Sequence, residues 1–290
     1  MLKFDTHVHC GLYRGEVPVK RMYDADGMLR HMDAIGVEKA VLMSSGETPN
    51  PQFGPVETTN TACREMVAAH PDRLAWMCNL DPVHPETVES RLAACKAQGA
   101  VGIGELALNR WLDDPFLWAV FAAAEKLALP VTFHMSPEPG YSYGVCDKAG
   151  LPLLEKALQA FPMLKFVGHS QVFWLEISAD CPKEGNEARS AYGTGPVIPG
   201  RVEELMHRYP NLYGDLSANS AGCALMRDEV YGLHFLETFR DRLFYATDTV
   251  NEKTVFPLGN WLDTCAGDGR LSAETYAAVC RENARRVYGL

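Results

Sequence analysis

The chain has 290 residues, 47% of them hydrophobic, enough to bury one large core within the size range of a single α/β barrel domain. Its formal charge of −10 opposes nucleic-acid binding, which draws on clustered Lys and Arg to release counterions, and no apolar run approaches the length of a membrane span. Nine cysteines, an odd count without a Cys-x-x-Cys pair, and a start with no basic-then-apolar stretch point to a reducing, cytoplasmic setting with a small-molecule substrate as partner.

The first predicted strand, Leu2-Lys3-Phe4, runs into Asp5-Thr6-His7-Val8-His9. Strand side chains alternate, so His7 and His9 point to one side about 7 Å apart at the backbone, close enough for both imidazoles to reach one ion. Asp5 shares that face, while Phe4 and Val8 face the other way. A His-x-His pair alone also reads as two histidines in an ordinary strand.

Further apolar runs end near Ser44, Asn79, Glu105, His134, His169, Asp215 and Asp248. Between them fall helix-like segments at 25–35, 57–69, 85–98, 115–127, 150–160, 200–208 and 273–287. This alternation predicts eight βα units, an α/β fold closed into one (β/α)8 barrel over residues 1–290. Pro71, Pro162 and Pro210 support the junctions, since each stops a helical stretch just before an apolar run. Two longer segments, 136–149 and 171–200, follow histidines at strand ends and are expected to overhang the barrel mouth as substrate loops. Surface decoration is the competing reading for any single residue in them.

The polar residues at the strand ends belong together. Glu105 closes Val101-Gly102-Ile103-Gly104, His134 closes Pro130-Val131-Thr132-Phe133, His169 closes Phe166-Val167-Gly168, and Asp248 closes Phe244-Tyr245-Ala246-Thr247. A lone histidine at such a place is usually a hydrogen-bonded rim residue. With His7 and His9, however, six such groups from five strands would meet on one rim of a closed barrel. Burying them together is costly unless a cation compensates the carboxylates and takes the imidazole lone pairs.

These residues in this order resemble the amidohydrolase superfamily, from Phe4-Asp5-Thr6-His7-Val8-His9 to Glu282-Asn283-Ala284-Arg285-Arg286. Gly168-His169-Ser170 and Ala246-Thr247-Asp248-Thr249 are most similar to its amidohydrolase-2 branch, which holds hydrolases and nonoxidative decarboxylases. The resemblance implies a distorted (β/α)8 TIM barrel of the metallo-dependent hydrolase type. It also implies His7, His9, His134 and Asp248 as ligands of a divalent metal, with His169 facing the substrate or a second metal. Gly-Ile-Gly-Glu at the fourth strand is similar instead to a deoxyribonuclease-like branch in which a glutamate bridges two metals. Glu105 is therefore a candidate ligand, an acceptor behind the ligands or a substrate contact, and the count stays at one or two ions. Mixed imidazole and carboxylate ligation suits zinc, and manganese or iron would also fit.

The expected activity is hydrolysis of a small amide, ester or lactone-like substrate by a metal-activated water. Asp248 would take the proton and return it to the leaving group, and His169 would polarise the carbonyl. No Gly-x-Ser-x-Gly elbow or Cys-His-Asn pattern supports a serine or cysteine nucleophile, and Cys10 beside His9 reads as a packing residue. The alternative is nonoxidative decarboxylation of a small unsaturated or aromatic acid, which needs an anion clamp such as Arg110, Arg14 or Arg189. Trp111 and Trp174 could wall a planar substrate, and Asp215 and Ser217 could contact it, with structural roles as the competing reading for each. A barrel that merely binds a metal or metabolite is a third reading, against which the intact ligand series speaks. A helix-rich exterior allows a homo-oligomer without identifying an interface.

Overall fold

Short apolar runs bounded by glycine, proline and polar residues form eight strands in the computed structural model, which describes residues 1–15, 20–49 and 55–290. They are β1 Lys3–Val8, β2 Val37–Met43, β3 Leu74–Met77, β4 Ile103–Leu106, β5 Val131–Ser136, β6 Phe166–His169, β7 Leu212–Asp215 and β8 Leu243–Phe244. Ladders join β1-β2-β3 and β4-β5-β6-β7-β8, every one parallel.

Two seams complete the ring. Between β3 and β4, Cys78 bridges Ile103, with Cys78 N donating to Gly102 O and Gly104 N to Cys78 O, both at 2.9 Å. Between the chain's two ends, Thr6 N donates to Tyr245 O at 3.1 Å, Asp248 N to His7 O at 2.8 Å and His9 N to Thr249 O at 2.9 Å. The result is the eight-stranded parallel barrel expected from the strand rhythm, a TIM barrel. Val145–Cys146 adds a short parallel strand beside β5, and Leu12–Tyr13 pairs antiparallel with Val56–Glu57.

Helices Ala25–Ala34, Asn60–Ala69, Val88–Ala97, Pro115–Lys126, Pro152–Ala160 and Arg201–Arg208 occupy the crossovers where the sequence placed them. Asp24, Thr59 and Asp114 start three of them by accepting a backbone N–H at the first turn. Three further helices, Ala218–Met226, Glu229–Thr238 and Leu258–Gly267, lie in stretches the sequence left unassigned. The expected 273–287 helix is interrupted by a π-turn at Ala278–Glu282. Among the described residues no helix is long and apolar enough to cross a membrane.

The core has two compartments. Val8, Leu42, Trp76 and Phe121 pack in the larger one, with residues of the surrounding helices. Phe4, Val41, Met43, Met77, Val167, Tyr213 and Phe244 form the smaller one, with Ala284 and Tyr288 from the terminal helix. Phe4 and Val8 thus fall in different compartments, against the expectation that they share a face. The reason is a register shift between β1 and β2 on either side of Phe4-Asp5, where an irregular ladder breaks strict alternation.

Candidate metal centre

His7 is fully buried at the end of β1, with Nδ1 2.7 Å from Asp215 Oδ2 at the end of β7. A carboxylate only accepts, so this contact places a proton on Nδ1 and turns Nε2 toward the barrel axis. His9 Nε2 lies 3.2 Å from His7 Nε2, 3.1 Å from Asp248 Oδ1 and 3.5 Å from Glu105 Oε2. His7 Nε2 is 3.6 Å from the same Asp248 oxygen. Ligands about 2.1 Å from one ion sit about 3.0–3.4 Å from each other in octahedral or tetrahedral arrangement. These donor atoms are spaced to share a cation with little rearrangement.

His169, at the end of β6, faces the same cup and is anchored from behind by a hydroxyl. Its Nδ1 meets Ser217 Oγ at 2.8 Å, and its Nε2 lies 3.8 Å from Asp248 Oδ2 and 3.7 Å from Glu105 Oε1. Glu105 faces two ways, with Oε2 toward His7 and His9 and Oε1 2.7 Å from His134 Nδ1. Three overlapping groups could therefore hold an ion: His7-His9-Glu105, His7-His169-Asp248 and Glu105-His134-His169. Asp248 sits at φ +58°, with Ser170 at +87° and Ala218 at +57°, immediately after His169 and Ser217. Such conformations cost a residue other than glycine on the order of 1 kcal/mol each and persist only where surrounding contacts fix them. Around Asp248 that fixing comes from Asp5, behind the cup, which accepts from His7 N at 3.1 Å, Thr247 N at 3.0 Å and Thr247 Oγ1 at 2.7 Å; Ser170 is held through its hydroxyl by Met135 N at 2.9 Å, and Ala218 N donates to Thr247 O at 3.2 Å.

The electrostatics show what the cup lacks. Burial alone would depress both leading histidines. The carboxylates outweigh it, raising His7 to about 9 through Asp215, Asp248 and Glu105, and His9 to about 10 through Asp248 and Glu105. Burial opposes ionisation of Glu105 and Asp248 in turn, yet hydrogen bonds and charge from His134, His9 and His7 hold both below the usual carboxylate range. His169 is pushed down to about 4 by burial and by the neighbouring His7 cation. Without a metal, the two imidazole protons of His7 and His9 are set against the carboxylates of Glu105, Asp248 and Asp215; a divalent ion delivers the same two charges, so the residues fit one.

The remaining candidates fall outside the cup. Trp174 is buried in the core and donates from Nε1 to Asp215 O at 3.0 Å, so it braces β7 instead of walling a substrate. Ser217 is also fully buried, and its hydroxyl is engaged with His169. Arg110 is paired with Asp114 at 3.4 Å, Arg14 with Glu57 and Glu65, and buried Arg189 donates to Pro137 O and Asp147 O. Cys10 packs against Met66.

A cavity of about 650 Å³ opens on His9, Glu105 and Asp248, walled by Met43, Leu80, Leu108 and Phe256 among others. Tyr143, from the 136–149 segment, lines it with its ring centre 4.2 Å from that of His134 and tilted 36° to it; no residue of 171–200 does. Sequence reasoning passed over Tyr143, and read Asp215 and Ser217 as substrate contacts with structural hydrogen bonding as the competing role, which is the one they fill. Their shared face at a strand end was legible, but not that this face turned toward two imidazoles.

The amidohydrolase family model (Amidohydro_2) matches residues 4–290. No curated protein matches the sequence. Among solved structures, 2,6-dihydroxybenzoate decarboxylase from Rhizobium is similar at 17% identity and a TM-score of 0.63, over 99% of this chain and 98% of that one. A probable 2-pyrone-4,6-dicarboxylic acid hydrolase from Acinetobacter baumannii, with citric acid bound, is similar at 17% and 0.61, over 100% of both chains. The 5-carboxyvanillate decarboxylase of Novosphingobium aromaticivorans, complexed with manganese and a nitrobenzoic acid, is similar at 17% and 0.62, over 100% of this chain and 96% of that one. At these identities the likeness is one of fold.

Proposed function

We propose, from the premise that the chain belongs to the amidohydrolase family, that it is a metal-dependent hydrolase of a small amide, ester or lactone-like substrate. The observation that carries this reading is the convergence of His7 Nε2, His9 Nε2 and Asp248 Oδ1 within 3.1–3.6 Å of one another, with Asp215 fixing His7 from behind. His7, His9 and Asp248 would hold the ion, with Glu105 and His169 as further donors on either side. Bound there, zinc, or the manganese seen in a structural neighbour, would acidify a water and polarise the substrate carbonyl.

Asp248 is the donor best placed to move a proton. Its side chain is 25% exposed where that of His7 is fully covered, and it lines the cavity. Held ionised, it takes the proton of the attacking water and passes it to the departing oxygen or nitrogen. His169, held neutral, faces its Nε2 into the cup, and with its proton on Nδ1 toward Ser217 Oγ it would serve an ion as a donor atom, in place of the expected polarising of the carbonyl. Trp174, Ser217 and Arg110 take no part in binding the substrate on this reading.

Decarboxylation is the second reading, favoured by the names of two structural neighbours, which act on aromatic acids. Metal-loaded protein assayed on phenyl acetate, δ-valerolactone and acetanilide should hydrolyse at least one of them. Asp248→Asn should abolish that turnover by about a hundredfold or more while the protein stays folded. Release of carbon dioxide from hydroxybenzoates with no hydrolysis of any panel member would select the second reading and end the first.

A further inference from the structure

We infer that this site takes a substrate whose body, beyond the group that meets the ion, is uncharged and apolar, and that it excludes a carboxylate carried on that body. The inference rests on the hydrolase reading for the reaction but on the cavity walls for its content. Of the described residues lining the cavity, none is Lys or Arg. Residues 16–19 and 50–54, which lie outside the description, contain neither type in the sequence.

The fixed charges on the wall are negative. Glu105 and Asp248 sit at the cup, and Asp81 is held in place by Glu47 N at 3.1 Å and Thr48 Oγ1 at 2.8 Å. Around the cup the three carboxylates of Glu105, Asp248 and Asp215 outnumber the charges of a divalent ion, so the centre as a whole sets up no net positive field to draw in an anion. The arginines the sequence offered as clamps are engaged elsewhere, Arg110 with Asp114, Arg14 with Glu57 and Glu65, Arg189 with backbone carbonyls. A carboxylate carried on the substrate body, away from the ion, would lose water and meet no Lys or Arg on these walls.

Neutral polar groups are provided for instead. Ser45 Oγ accepts from Thr58 Oγ1 at 2.8 Å, which leaves its own proton for the cavity. Tyr143 brings a second hydroxyl to the wall. Both can donate to a carbonyl or ether oxygen, while Met43, Leu80, Leu108 and Phe256 cover an apolar body. Carboxyvanillate and pyrone dicarboxylic acid, for which two of the neighbours are named, each carry a second carboxylate, a group that the walls of this cavity do not match.

Binding of a matched pair tests the charge rule apart from the chemistry. Isothermal titration of zinc-loaded protein should show benzamide binding about tenfold tighter than 4-carbamoylbenzoate, which differs from it by one carboxylate. Leu108→Arg should reverse that order, with metal content unchanged. Equal or tighter binding of 4-carbamoylbenzoate to the wild type, or no detectable binding of benzamide, overturns the inference, and the wild-type comparison decides even where the variant fails to fold. Turnover of phenyl acetate reports separately on the hydrolase reading: a neutral preference without turnover would sink that reading and leave the charge rule standing.

Discussion

At the scale of single residues, the centre depends on what stands behind its ligands. Asp215 Oδ2 lies 2.7 Å from His7 Nδ1, and its carboxylate is held below the usual range against its burial by the charge and hydrogen bond of His7. Asp215→Asn removes the charge but keeps the volume, and partners of this kind typically contribute about 10–100-fold in metal affinity. That loss is the expected outcome, read by competition with a chromophoric chelator; an unchanged affinity would reduce Asp215 to a packing residue. The two leading histidines also set a pH dependence. Raised to about 9 and about 10 in the metal-free cup, His7 and His9 are protonated at neutral pH, and an ion must displace those protons. Metal affinity should therefore climb as pH rises from about 6 to about 9, and metal added to weakly buffered protein should release protons. Affinity flat across that window would mean that the histidines are not the ligands.

Elements place those residues, and the two loops read as substrate loops turn out to be fastened to each other. Asp147 is fully buried and accepts from Lys148 N at 2.7 Å, Leu153 N at 3.1 Å and Leu154 N at 2.8 Å, so it caps helix Pro152–Ala160. Arg189, from the other segment, donates to Asp147 O at 2.8 Å and Pro137 O at 3.1 Å, pinning both ends of 136–149 with one guanidinium. Burial raises the Asp147 carboxyl from 3.8 to about 6, against its backbone hydrogen bonds. A raised acid binds its proton more tightly in the folded chain. Its contribution to stability is thus fully present below about pH 4 and is lost as pH rises to about 6, on the order of 3 kcal/mol. Asp147→Asn should flatten urea midpoints across that window relative to wild type, and parallel curves would contradict the assignment. The strand ends were legible because each is an apolar run closed by a polar residue, an ionisable one everywhere but at Ser44 and Asn79. Ala218–Met226 was not, since its small residues, with Ala221, Gly222, Ala224 and Leu225 all buried, give no polar face to contrast with an apolar one. Trp174 misled for a related reason: a tryptophan one turn past a strand end can point to the mouth or the core, and only packing decides.

For the molecule as a whole, the cup exists only where the chain's two ends meet. His7 and His9 come from β1 and Asp248 from the far side of the last seam, joined by Asp248 N to His7 O at 2.8 Å and by the Thr247 contacts to Asp5. An unfolded chain keeps the His-x-His pair but has Asp248 and Glu105 at distant points, so it cannot assemble the full donor set. A metal that binds the folded ring and not the open chain stabilises it by about 4 kcal/mol at a thousandfold excess over its dissociation constant. With each kcal/mol worth roughly 2 °C at this chain length, zinc or manganese should raise the melting temperature by on the order of 8 °C, and a chelator should reverse the rise. Because the last seam ties both ends of one continuous ring, the shift should appear in a single cooperative transition. A melt in two steps, only one of them sensitive to metal, would mean that the ends part before the barrel unfolds, and that the centre holds the seam without holding the fold.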